Sequence, residues 1–124
     1  MGKSFVLAAA AAAVLLAGCA TPPPALPRGV SLIDAERLGP MLHVQEPAVA
    51  RTRTGTLQVS VPVRNVSASR LVLEGRATFR GAAAEAPSGW RRVFINKDSA
   101  ETLEFSSLSA QASDFQVELR EGNR

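Results

Sequence analysis

The chain has no tyrosine, one tryptophan, one histidine and one cysteine among 124 residues, and each scarcity narrows its chemistry. A lone thiol cannot close an internal disulfide or build a thiolate zinc site. A lone histidine offers no His pair to a metal, so zinc would have to come from carboxylates on distant segments. Few aromatics remove the stacking platform of a single-strand binder. The 14 Lys and Arg, against 11 Asp and Glu, are scattered along the chain, Arg64, Arg70, Arg76, Arg80, Arg91 and Arg92 among them, rather than clustered. No nucleic-acid partner is expected.

What is present is organised around that cysteine. Lys3, an apolar run from Phe5 to Ala17 and the small residues before Cys19 form the three parts of an export signal. The run is shorter than the roughly 20 apolar residues a membrane-spanning helix needs, so it reads as a cleaved leader. Leu16-Ala17-Gly18-Cys19 matches a bacterial lipoprotein processing site: the thiol takes a diacylglyceryl thioether, the chain is cut before Cys19, and the new amino group is acylated, typically with palmitate. Each buried CH2 contributes ~0.8 kcal/mol, and multiple acyl chains make anchoring stable. Ala20 is not the Asp that holds lipoproteins in the inner membrane. The expected address is therefore the outer membrane, facing the periplasm, with the lipid on Cys19 as the only attached group and no cofactor.

Residues 1–18 are thus read as the signal peptide, an apolar helix when it is engaged. Residues 19–29 are a tether and 30–124 a single domain, near the common domain size. Pro22, Pro23, Pro24 and Pro27 favour extended polyproline geometry at about 3.1 Å per residue, enough to hold the domain ~30 Å from the lipid.

Within the domain, Asp34 to Leu38 predicts a helical turn that Gly39-Pro40 breaks. Met41 to Val44 and Val49 to Arg53 predict short strands. Leu57, Val59, Val61 and Val63 alternate with polar residues, as do Leu71, Leu73, Gly75, Ala77 and Phe79, the period of half-buried strands. Pro62 implies an edge position or a bulge nearby. The turn at 65–69 is compatible with a hairpin pairing Val61 with Gly75, or with an arch between two sheets. Trp90 to Ile95, a strand around Leu103, Phe105 and Leu108, and Phe115 to Leu119 complete the pattern. About six or seven short strands predict an all-β, antiparallel, immunoglobulin-like (fibronectin III-like) β-sandwich, with a small barrel as runner-up.

No catalytic constellation emerges. His43 lies in a predicted strand; Glu101 and Glu104 fall on opposite faces of theirs, a poor placement for an acid and base pair; Ser106, Ser107 and Ser109 sit in turn-like sequence without a nucleophile motif. Neither an enzyme nor a metal site is expected. Trp90 is expected in the core opposite Gly75, where the missing side chain leaves room. If exposed, Trp90, Arg91 and Arg92 together form a candidate partner patch.

The anchor Leu16 to Cys19, Leu57 to Asn65 before a turn, Leu71 to Phe79, Ser88 to Val93 around Trp90, and Asp114 to Leu119 together resemble the YcfL-like family of small envelope lipoproteins. The resemblance implies an immunoglobulin-like sandwich on an outer-membrane anchor, with cell-wall synthesis as a context. Family members often carry an Asp and a Gly after the second strand. Here Phe79-Arg80-Gly81 runs into alanines, so no role for that Asp is expected. These readings lead to a non-enzymatic module that binds another envelope protein. Alternatives are a docking lipoprotein of a secretion or pilus complex, or a ligand-binding or wall-modifying enzyme.

Overall fold

A computed structural model of the protein describes residues 25–123. The expected leader with Leu16 to Gly18, the expected lipidation residue Cys19 and the first part of the expected tether lie outside the described residues. In chain order the elements are β1 (Val30–Leu32), α1 (Ala35–Leu38), a 3-10 turn (Gly39–Met41), β2 (Leu42–Val44), β3 (Ala48–Arg51), β4 (Leu57–Asn65), β5 (Leu71–Arg80), β6 (Arg91–Ile95), β7 (Ala100–Ser106) and β8 (Asp114–Glu121). No helix among the described residues is long and apolar enough to cross a membrane.

The strands form an all-β sandwich. The first sheet has the order β1-β8-β5-β6; in the second, β4 is central, with β2 and β3 along one side and β7 along the other. Every pairing is antiparallel except β1 with β8. The alternation of β4 buries Leu57, Val59, Val61 and Val63, and that of β5 buries Leu71, Leu73, Ala77 and Phe79. Leu103, Phe105, Val117, Leu119 and Ile95 fill the space between them. Side chains of period two therefore line both inner faces, as a sandwich requires.

β4 and β5 do not pair: they lie in different sheets, so the turn at 65–69 is an arch rather than a hairpin. Asn65 makes the arch possible. Its side chain is fully buried, and its Nδ2 donates to the carbonyls of Ile95 (2.9 Å) and Ser69 (2.8 Å). Its Oδ1 accepts from Ser67 N (2.9 Å) and Ser67 Oγ (2.6 Å). One amide thus ties the end of β4 to the start of β5 and to β6, with its donors and acceptor used as burial demands.

Pro62 sits in the most central strand of its sheet, not at an edge. Its carbonyl accepts from Gln45 N (2.9 Å), and in a strand a residue's N and O point the same way, so the missing donor faces the break between β2 and β3. There the register of β3 on β4 is one residue out of step with that of β2. A bulge therefore stands where the ladder has no donor to offer.

Two further expectations are corrected. β1 is an additional strand, held parallel to β8 through Val30, Ser31 and Leu32; three residues are too few to display a period. Leu108 is not in β7 but in the loop after it, 85% exposed. That loop is secured by Ser107, whose Oγ accepts from Leu57 N (2.8 Å) and donates to the carbonyl of Ser109 (2.7 Å). The Glu85 carboxylate also accepts from Leu108 N (2.8 Å) and Ser109 N (3.2 Å).

Candidate interaction surface

The outer face of the β1-β8-β5-β6 sheet collects side chains that the sequence scatters. Register places Glu74 opposite both Arg92 of β6 and Arg120 of β8, Arg76 opposite Glu118, and Val72 opposite Phe94. Alternation sends all of these outward, because their neighbours Leu73, Ala77, Val117 and Leu119 point into the core.

Trp90 belongs to this face. It shares parity with Arg92 and Phe94, is half-buried rather than core, and lies under two guanidinium groups, Arg120 at 3.7 Å and Arg76 at 4.6 Å from the ring centroid. The expectation that it plugs the space opposite Gly75 is wrong. Phe105, Leu103 and Leu119 occupy that space: a Cβ on Gly75 would meet Leu103 and Leu119 Cδ2 at 3.0 Å and Phe105 Cζ at 3.3 Å. The consecutive run Arg91 to Ile95 has no clean alternation, so the sequence concealed which side Trp90 takes.

The three residues of the candidate patch are therefore divided. Trp90 and Arg92 share the outer face. Arg91 turns to the inner side at the edge of the sheet, with its guanidinium 5.7 Å from the Phe105 ring centroid. An inward-turned charge of this kind discourages indiscriminate pairing along a free edge.

Glu74 is the electrostatic centre of the face. Its Oε1 accepts from Arg120 Nε (2.9 Å), and its Oε2 accepts from Arg92 Nη2 (3.0 Å) and Nε (3.2 Å). The Glu74 side chain is 12% exposed. Hydrogen bonds from Arg120 first, then Arg92, hold its carboxyl below the ordinary glutamate value against the opposing effect of desolvation. Arg76 donates to Glu118 (2.9 Å). Arg120 thus binds a carboxylate and covers an indole at once, a dual role suited to the planar guanidinium.

Beyond this network the face ends in a hollow of about 350 Å³ lined by Ser69, Arg70, Val72 and Phe94. Phe94 is 50% exposed, and the Arg70 guanidinium lies 4.6 Å from its ring centroid. Among the described residues no carboxylate lies within salt-bridge distance of Arg70, whereas Arg76, Arg92 and Arg120 each have one. Sequence reading missed Glu74, Arg76, Arg120, Arg70 and Phe94 as a group. Alternation indicated their outward direction, but only the register joins them.

Elsewhere, His43 is exposed on β2 opposite Arg64 and lines a groove of about 490 Å³ with Glu36, Leu26, Leu32 and Pro40. Among the described residues no three His, Cys, Asp or Glu side chains gather as a metal site would require. Glu101 and Glu104 stand on opposite sides of β7, and the Ser107 hydroxyl is occupied by the loop bonds above.

The class of protein this geometry defines is a small β-sandwich with one elaborated sheet face. The crystal structure of Campylobacter jejuni cj0090 is similar, with a TM-score of 0.59 and 15% identity over 76% of this chain and 98% of that one. A DUF1425 family member from Shewanella sp. pv-4 is similar with a TM-score of 0.57 and 16% identity over 67% of this chain and 80% of that one. At such identities the likeness is one of fold. No protein-family model and no curated protein matches the chain.

Proposed function

We propose that the protein is a lipid-anchored module of the bacterial envelope, attached through Cys19 to the outer membrane and facing the periplasm, whose sandwich binds another envelope protein without catalysing a reaction. The observation that carries the binding reading is the outer sheet face: aromatic and Arg side chains, the types enriched at interface hot spots, are assembled there around Glu74. The anchor rests on Leu16 to Cys19 and on the abrupt change to a Pro-rich tether. Kinship with the YcfL-like envelope lipoproteins is part of the same proposal, and the shared sandwich fold is compatible with it. Cell-wall synthesis is its proposed context.

The test is crosslinking of the lipidated protein in intact cells, followed by mass spectrometry, with Cys19→Ser as the mislocalised control. One reproducible envelope partner, lost in the control, is the expected result. Capture of no specific partner from correctly placed protein overturns the reading and directs attention to the groove beside His43.

A further inference from the structure

The edge of β6 and the hollow beside it form one continuous feature. β6 is hydrogen-bonded to β5 on one side and ends its sheet on the other. Of its outward side chains Arg92 and Phe94, the second lines the hollow floored by Val72. The floor is firm: Val72 is 6% exposed, and Gly122 donates to its carbonyl (2.8 Å) and packs so close that a Cβ there would meet Val72 Cγ1 at 2.8 Å.

At the rim, Arg70 is stacked on Phe94 with no carboxylate of the described residues to neutralise it. Stacking restricts the side chain while leaving its N–H donors free, which lowers the entropy lost when an anion binds. Arg91 and Arg92 add positive charge along the same edge, and only Arg92 is shared with a glutamate.

We infer that β6 accepts an extended acidic segment of a partner protein as an added strand, with an outward apolar side chain of that segment packed on Phe94 at the rim of the hollow and a carboxylate of the segment on Arg70. This rests on the protein-binding reading above and names the chemistry of the partner. Main-chain bonds along an open edge supply affinity, and a pocket for alternate side chains supplies selectivity. The charge of the edge supplies the sign: a basic segment is repelled by Arg70, Arg91 and Arg92, and an acidic one is drawn to them.

The experiment selects peptides from a random twelve-residue library displayed on phage, using the mature protein as target, and measures the winners in solution. The expected winners pair Asp or Glu with a nearby large apolar residue, bind at least 10-fold more weakly to Arg70→Ser and to Phe94→Ser, and bind equally to Leu108→Ser, an exposed apolar site elsewhere. Hydrogen exchange is expected to slow on binding at the amides of Arg92 and Phe94, which point away from β5. Absence of any winner, winners without acidic residues, indifference to both substitutions, or protection on another strand each overturns the inference. The same two substitutions in the intact-cell crosslinking separate it from the broader reading. A partner retained by both variants removes the β6 site and leaves the binding module standing, whereas no partner for the unaltered protein removes the module itself.

Discussion

Gly75 and Phe105 face each other across the sandwich, the missing side chain of one accommodating the ring of the other: a Cβ on Gly75 would lie 3.3 Å from Phe105 Cζ. Phe105 is 1% exposed and is the largest fully buried side chain among the described residues. Removing the ring leaves a cavity bounded by well-packed aliphatics, so Phe105→Ala is expected to cost about 3–5 kcal/mol. Trp90→Ala removes an indole from a wet face and two cation-π contacts, each worth about 0.5–1 kcal/mol at exposed sites. Urea unfolding of the two variants checks the order. If Trp90→Ala is the more damaging, the core assignment is wrong.

Asn65 makes the second prediction. Replacing it with Leu removes the side-chain partner of the Ile95 carbonyl and the Ser67 N–H, while the Ser69 carbonyl keeps the Ser67 hydroxyl. Orphaned buried polar groups cost about 1–3 kcal/mol each, so a loss of roughly 2–4 kcal/mol is expected after partial rescue by water. Asn65→Asp is the sharper probe. Its carboxylate keeps the bonds from Ser67 but opposes two carbonyls, which raises its folded pKa above the unfolded value. Such a variant gains stability as pH falls and loses it as pH rises through that folded value. Unfolding curves of the variant at pH 4 and 7 check the sign.

Which parts of the fold could be read in the sequence follows from side-chain period. β4 and β5 are long enough to alternate cleanly, and both inner faces were legible. α1 was legible because Gly39-Pro40 ends it. β1 was not, since three residues paired to a distant strand carry no local signal. Hairpin and arch place the same apolar residues inward, so side-chain period does not choose between them; what decides is the long-range bond from Asn65 to Ile95. The candidate surface was half legible: Trp90 and Arg92 were singled out, but Arg91 shared their segment without sharing their face. Glu74, Arg76 and Arg120 become a network only when β5 is placed between β6 and β8.

Glu74 predicts a pH dependence. Its folded pKa is lowered, chiefly by Arg120 and then by Arg92, so its contribution to stability is fully present above the unfolded glutamate value. That contribution declines as pH drops below that value and is gone once pH has fallen through the folded one. Wild-type protein is expected to lose more stability than Glu74→Gln on going from pH 7 to pH 3. Denaturant midpoints of the two proteins at both pH values measure the difference. Equal losses would show that the two arginines do not hold the carboxylate in solution.

The proposed anchor gives the last prediction. The proposed lipidation of Cys19 requires its thiol, so Cys19→Ser is expected to abolish palmitate labelling and to shift the mass of the protein, while the sandwich, which lies entirely downstream, folds as before. Ala20→Asp should keep the label and change the membrane fraction from outer to inner, because sorting reads the residue after the lipidated cysteine. The lipid and the address are thereby separated: one substitution removes the attachment, the other redirects it. Labelled Cys19→Ser protein would show that Leu16-Ala17-Gly18 is not a lipoprotein processing site. Unlabelled wild-type protein found free in the periplasm would reduce the leader to an ordinary secretory signal, and binding by the sheet face would then have to operate without the two-dimensional concentration that a membrane anchor provides.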